Sequence, residues 1–128
     1  MKRIFGVLMI IFLSSCFKFN TVLPEDKLKD LPAVKIMELA AEKYQANEYK
    51  DAIYYYEYII KNFPEDKENF AWAHYEIGFI KYQEGKLKEA LDYFYKTASI
   101  DTPNRASTIL ALQMAERVEK MLEKKGRN

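Results

Sequence analysis

From residue 32 onward, apolar residues recur at three- and four-residue steps, and the pattern is interrupted at Asn47, at Phe63-Pro64, at Gly85 and at Pro103. That spacing lines apolar side chains along one face of an α-helix. Pro, Gly and Asn are the residue types that stop a helix or accept the left-handed turn after it. The pattern predicts five helices, at about 32 to 46, 49 to 62, 68 to 83, 86 to 100 and 105 to 124. Pro32 suits a helix start, where its missing N–H costs nothing. The last helix carries Ala106, Ile109, Leu110, Met114, Val118, Met121 and Leu122 as one apolar stripe.

Two stretches repeat each other. With Ala52 set on Ala90, Asn47-Glu48-Tyr49-Lys50-Asp51-Ala52-Ile53 falls on Gly85-Lys86-Leu87-Lys88-Glu89-Ala90-Leu91, Tyr56 falls on Phe94, and the copies run into Pro64 and Pro103. This resembles the tetratricopeptide repeat, a helix-turn-helix unit of about 34 residues with a W-x₂-L-G-x₂-Y, A-x₃-F, P pattern. Residues 71 to 104 fit best: His74, Ile77, Gly78 and Lys81 take the W, L, G and Y positions, and Ala90 and Phe94 the small and aromatic ones. His74 and Lys81 depart from the pattern. Gly78, Ala90, Ala40 and Ala52 lack bulk where antiparallel helices must pass closely. A mid-helix glycine costs about 1 kcal/mol relative to alanine and needs such a reason. Gly85 and Asn47 stand where the turn needs a left-handed residue.

The resemblance implies an all-α fold of about two tetratricopeptide-type hairpins over residues 32 to 104, with residues 105 to 125 as a C-terminal capping helix. Repeat stacks need a terminal element to cover the last open face.

The N-terminus has a different pattern. Lys2 and Arg3 precede an apolar run from Ile4 to Leu13, broken only by Gly6. A membrane-spanning helix needs roughly 20 apolar residues, whereas an export-signal core needs about 7 to 15. The run ends in Leu13-Ser14-Ser15-Cys16, which resembles the bacterial lipobox. The resemblance implies a signal peptide over 1 to 15, cleavage before Cys16, diacylglycerol on its thiol, and the further acylation (palmitate) usual in lipoproteins of this type. Residues 16 to 31, polar with Pro24 but without a sustained period, are expected to be a tether. Cys16 is the only cysteine, so no disulfide can form within the chain.

Composition narrows the chemistry. Loss of Lys2 and Arg3 with the signal leaves 18 basic residues against 19 acidic ones, and no basic patch points to nucleic acid. His74 is the only histidine and Cys16 is expected to be taken up by lipid, so neither a cysteine nucleophile with a histidine base nor a His or Cys metal cluster is expected. The glycines Gly6, Gly78, Gly85 and Gly126 form no phosphate-cradling loop. The expectation is a chain that is not an enzyme and uses no cofactor, metal or small-molecule substrate. His74 reads as a packing residue.

Trp72, Tyr75, Phe79 and Tyr82 follow steps of three, four and three, so they share one helical face. They fall on repeat positions 2, 5, 9 and 12, which in the tetratricopeptide family line the concave groove that receives peptides. Val34, Met37, Ala41 and Tyr44 match them in the first copy. The sequence leaves two readings: an open peptide-binding groove including Met37 and Tyr44, or a face covered by a neighbouring helix and therefore core. Tyr54, Tyr55, Tyr58, Tyr93 and Tyr95 crowd the second helices, and some must reach the surface.

The spacing Tyr44, Tyr49, Ala52, Phe63-Pro64, Tyr75-Glu76-Ile77-Gly78, Tyr82 and Ala90, with Ile60-Lys61-Asn62-Phe63-Pro64 closing the second helix, resembles a subgroup of envelope repeats. The subgroup includes the D-component lipoproteins of the outer-membrane β-barrel assembly machinery and the Tol-Pal coordinators. Ala52 and Ala90 are 38 residues apart, a few more than the standard period, as in that subgroup. The resemblance implies a lipoprotein on the periplasmic face of the outer membrane whose partners are proteins, either a barrel-assembly subunit or unfolded barrel substrates. A Tol-Pal-type coordinator or a secretin pilot lipoprotein is the alternative. The D-component family has about five repeats and this chain about two, so no contact residues carry over.

Overall fold

The computed structural model describes residues 22 to 127; the signal segment, its cleavage point and Cys16 lie outside the described residues. Six helices follow one another: α1 (Glu25–Leu28), α2 (Ala33–Gln45), α3 (Tyr49–Asn62), α4 (Lys67–Gln83), α5 (Leu87–Ala98) and α6 (Ala106–Gly126). The chain is all-α. The tetratricopeptide-type hairpins α2-α3 and α4-α5 stack side by side, and α6 closes the stack against α5 and α4.

The hairpin turns follow from single residues. Asn47 has φ 59° and Gly85 φ 75°, the left-handed values expected there. At each turn two backbone N–H groups reach back into the helix: Asn47 to Tyr44 and Glu48 to Lys43, then Gly85 to Tyr82 and Lys86 to Lys81, at 2.9 to 3.0 Å. This double closure satisfies carbonyls that the helix end would otherwise leave open. Between the hairpins the extra residues Phe63 to Asp66 form the link. Asp66 caps α4, its Oδ1 accepting from the Asn69 N–H at 3.2 Å.

Gly78 marks the tightest crossing. A Cβ there would lie 2.9 Å from Tyr93 Cβ and 3.1 Å from Phe94 Cε1, so α4 and α5 meet almost backbone to backbone. Ala40, Ala52 and Ala90 are fully buried at the corresponding small positions. Two apolar clusters result. The first gathers Ile36, Tyr55, Tyr56, Ile59, Ile77 and Ile80 between the hairpins, and the second gathers Ala90, Phe94, Ala111, Met114, Ala115 and Val118 beneath α6. Helix α4 contributes to both, which couples the two halves.

The expected tether over 16 to 31 is corrected from residue 22 onward. Leu28, in the one-turn α1, is fully buried in the first cluster, and Val22 and Leu31 pack beside it. The backbone of Leu23 is clamped to α3: its N–H donates to Tyr55 Oη at 2.8 Å, and its carbonyl accepts from Tyr54 Oη at 3.1 Å. This segment covers the open side of the first hairpin as α6 covers the second. The physical reason is end-covering: a stack of two hairpins has two exposed flanks, and each must be closed.

The crowded tyrosines divide accordingly. Tyr55 and Tyr58 are core, Tyr54 holds the N-terminal segment, Tyr93 is half-buried, and Tyr95 is exposed with its hydroxyl donating to Glu119 of α6. No described helix is long and apolar enough to cross a membrane.

Candidate functional site

The first helices of the repeats, α2 and α4, lie side by side with α6 beyond α4, and this side, the one expected to be concave, carries an aromatic row. Trp72 meets Tyr75 edge to face at 5.5 Å, Tyr75 stacks on Phe79 at 6.2 Å, and Phe79 lies 6.1 Å from Tyr82. All four rings are half-buried. They are not equivalent. Tyr75, Phe79 and Tyr82 pack on the cluster beneath α6, whereas Trp72 belongs to neither cluster, and its indole N–H donates to Glu68 Oε1 at 2.9 Å. The face is thus part core and part surface, with Trp72 at the open end.

The first hairpin supplies the other wall. Met37 and Tyr44 are half-buried against the first cluster, and Tyr44 Oη donates to Gln83 Oε1 at 2.9 Å, tying α2 to α4. Val34 is 56 % exposed. On the opposite wall Arg117 is close enough to act on the Tyr75 hydroxyl. Leu110 and Met121, on the same face of α6 by helical spacing, are exposed apolar groups. Of the six residues that the sequence points to, Met37 and Tyr44 border the first cluster, Tyr75, Phe79 and Tyr82 border the second, and Trp72 lies outside both.

Glu76 is a further functional candidate, one that no spacing in the sequence marks. It sits between Tyr75 and Ile77 at the junction of the hairpins. Burial holds its carboxyl above the usual range, and the Glu76 charge in turn raises the Tyr56 and Tyr75 hydroxyls, already raised by their own burial. A periodic reading treats a charged residue on a helix shoulder as solvated, so the signal lay in the fold and not in the spacing.

Between α3 and α5 lies a cavity of about 400 Å³ with His74 in its wall and Glu57, Lys61, Asp92 and Lys96 around it. His74 is a packing residue, 2 % exposed, edge-on to Phe70 at 4.8 Å, and neither ring nitrogen has a hydrogen-bond partner. Among the described residues no group of three or more His, Cys, Asp or Glu could hold a metal.

Burial, reinforced by the Lys96 charge, pulls the His74 imidazole down to about 4. The unfolded chain gains this proton near the ordinary value of about 6.5, so it binds more protons than the folded chain between these limits, and stability must rise with pH there. The contribution is complete above about pH 6.5 and lost as pH falls to about 4, amounting to about 3 kcal/mol. Urea unfolding at pH 7 and pH 4.5 should show this loss in the wild type and much less in His74→Leu. Glu76 titrates in the opposite sense in both proteins, so their difference isolates the imidazole. Equal losses would assign the acid sensitivity elsewhere.

Compared with known proteins, the chain matches no family model, no curated protein and no solved structure.

Proposed function

We propose that this chain is a lipid-anchored, protein-binding scaffold of the bacterial cell envelope, without catalytic activity of its own. The observation that carries the reading is the half-buried aromatic row from Trp72 to Tyr82 along α4 of a two-hairpin repeat fold. Large aromatics with polar edges are the groups that dominate protein-binding hot spots. Trp72, Tyr75, Phe79 and Tyr82 form the floor, with Met37 and Tyr44 beside them.

Anchoring through Cys16 rests on the Leu13-Ser14-Ser15-Cys16 motif. The clamp on Leu23 gives it a consequence. Seven residues from Cys16 to Leu23 reach at most about 25 Å, so an anchored domain stays beside its membrane. The finer proposal is an accessory role in outer-membrane β-barrel assembly on the periplasmic face, supported by the lipobox and the envelope-type spacing of the repeats.

Affinity purification of the tagged protein from detergent-solubilised membranes tests this finer role. Recovery of a barrel-assembly subunit is the expected result. Recovery of Tol-Pal or secretin components in its place would replace it with the alternative scaffold role.

Trp72→Ala tests the groove itself. Because this ring lies outside both clusters, its loss should leave the thermal midpoint within a few degrees of wild type. Partner affinity should fall about thirtyfold, the size of a buried tryptophan hot spot. Unchanged affinity with a collapsed midpoint would make the row core and nothing more.

A further inference from the structure

We infer that the concave groove recognises a cationic side chain, lysine or arginine, on an otherwise apolar segment of the partner polypeptide, with Glu76 as the anion that receives it. The inference rests on the groove being the binding face, and it specifies what that face selects.

Glu76 is half-buried, and among the described residues it takes part in no ion pair and no hydrogen bond. Several more exposed acids do meet lysines: Glu89 meets Lys81 at 3.1 Å, Glu25 meets Lys61 at 3.6 Å and Glu38 meets Lys35 at 2.6 Å. A desolvated charge without a counter-ion is unfavourable unless something supplies the counter-ion. None of the described residues does. Arg117 of α6 acts on Tyr75 and is not among the influences on Glu76.

The surroundings fit a cation better than any other ligand. On α4, Glu76 lies one turn after Trp72 and directly beside Tyr75. Its charge is felt at Tyr56 on α3, and Tyr44 on α2 acts on the same two hydroxyls. Seven residues further along the same helical line, Gln83 is held by Tyr44, which places Glu76 on the seam between α2 and α4. Aromatic faces attract cations, and partial desolvation strengthens both that attraction and the ion pair with a carboxylate. An anionic ligand would meet uncompensated repulsion there. A wholly apolar one would bury the carboxylate further without pairing it.

The test uses the full chain in detergent micelles and two synthetic peptides of Leu, Ser and Gly, identical except for one central arginine or its neutral isostere citrulline. Trp72, the only tryptophan, reports binding by its fluorescence from one turn away. The arginine peptide should bind at least about tenfold more tightly than the citrulline peptide. In Glu76→Gln that preference should disappear while the thermal midpoint stays equal or rises, because an unpaired buried charge has been removed. Equal affinities for the two peptides, or a preference that survives Glu76→Gln, would overturn the inference. Trp72→Ala in parallel separates the two layers, since it weakens both peptides if the groove is the binding face. Its fluorescence arm is then replaced by calorimetry.

Discussion

Gly78→Val should cost about 3 kcal/mol or more of stability and leave the protein poorly folded at growth temperature. Two effects compete. Replacing a mid-helix glycine gains up to about 1 kcal/mol of helix propensity, less for a β-branched residue. Against that, the new Cβ would sit 2.9 Å from Tyr93 Cβ, an atom fixed to the backbone of α5 that no side-chain rotation can move. The two valine methyls would then press on Phe94, a fully buried ring at the centre of the second cluster, already 3.1 Å from the Cβ position. Relief requires α4 and α5 to separate, which opens the cluster that α6 closes. Steric cost therefore exceeds propensity gain. Urea unfolding gives the value, and Gly78→Ala should fall between wild type and valine. Adding Phe94→Leu to Gly78→Ala should recover part of the loss, a coupling expected only for residues in contact. Wild-type stability in Gly78→Val would mean that the helices do not cross as described.

With residues 1 to 15 replaced by an export signal that is cleaved without lipid, Cys16→Ala should move the protein from the membrane fraction to the soluble fraction almost completely. No described helix can span a bilayer, so on the proposed reading the acyl chains supply the attachment, at about 0.8 kcal/mol per buried methylene. The partner experiment separates anchoring from recognition. Partner recovery from membranes should fall by about a hundredfold or more, because tethering acts through effective concentration. Affinity for an isolated partner segment in solution should not change. Fractionation of the variant with the membrane, as wild type does, would remove the lipid from the account.

The fold was legible in residues that have few conformational alternatives. Asn47 and Gly85 announced their left-handed turns, Phe63-Pro64 announced the link, and Gly78 announced a close crossing, so helix boundaries could be placed within about two residues. What the sequence hid depends on partners distant along the chain. Leu28 is a single apolar residue in a polar stretch, and the clamp on its segment comes from Tyr54 and Tyr55, 31 and 32 residues from Leu23. No local period can reveal such a contact. The aromatic row was visible as a face, but spacing could not tell that α6 would cover the Tyr75 edge and spare Trp72. Glu76 was invisible for the same reason: its burial comes from the stacking of hairpins, not from its own helix.

On the proposed reading a partner polypeptide lies along the aromatic face of α4 while the protein is anchored in its membrane. Photo-crosslinking in the native envelope addresses it most directly, with the reactive group placed at Val34, 56 % exposed at one end of the groove, or at Asp92, exposed on the convex side. Discrete polypeptide adducts from Val34 that vanish with Trp72→Ala, and none from Asp92, are the predicted result. Adducts from Asp92 alone, or adducts from Val34 that persist unchanged without the Trp72 ring, would contradict it.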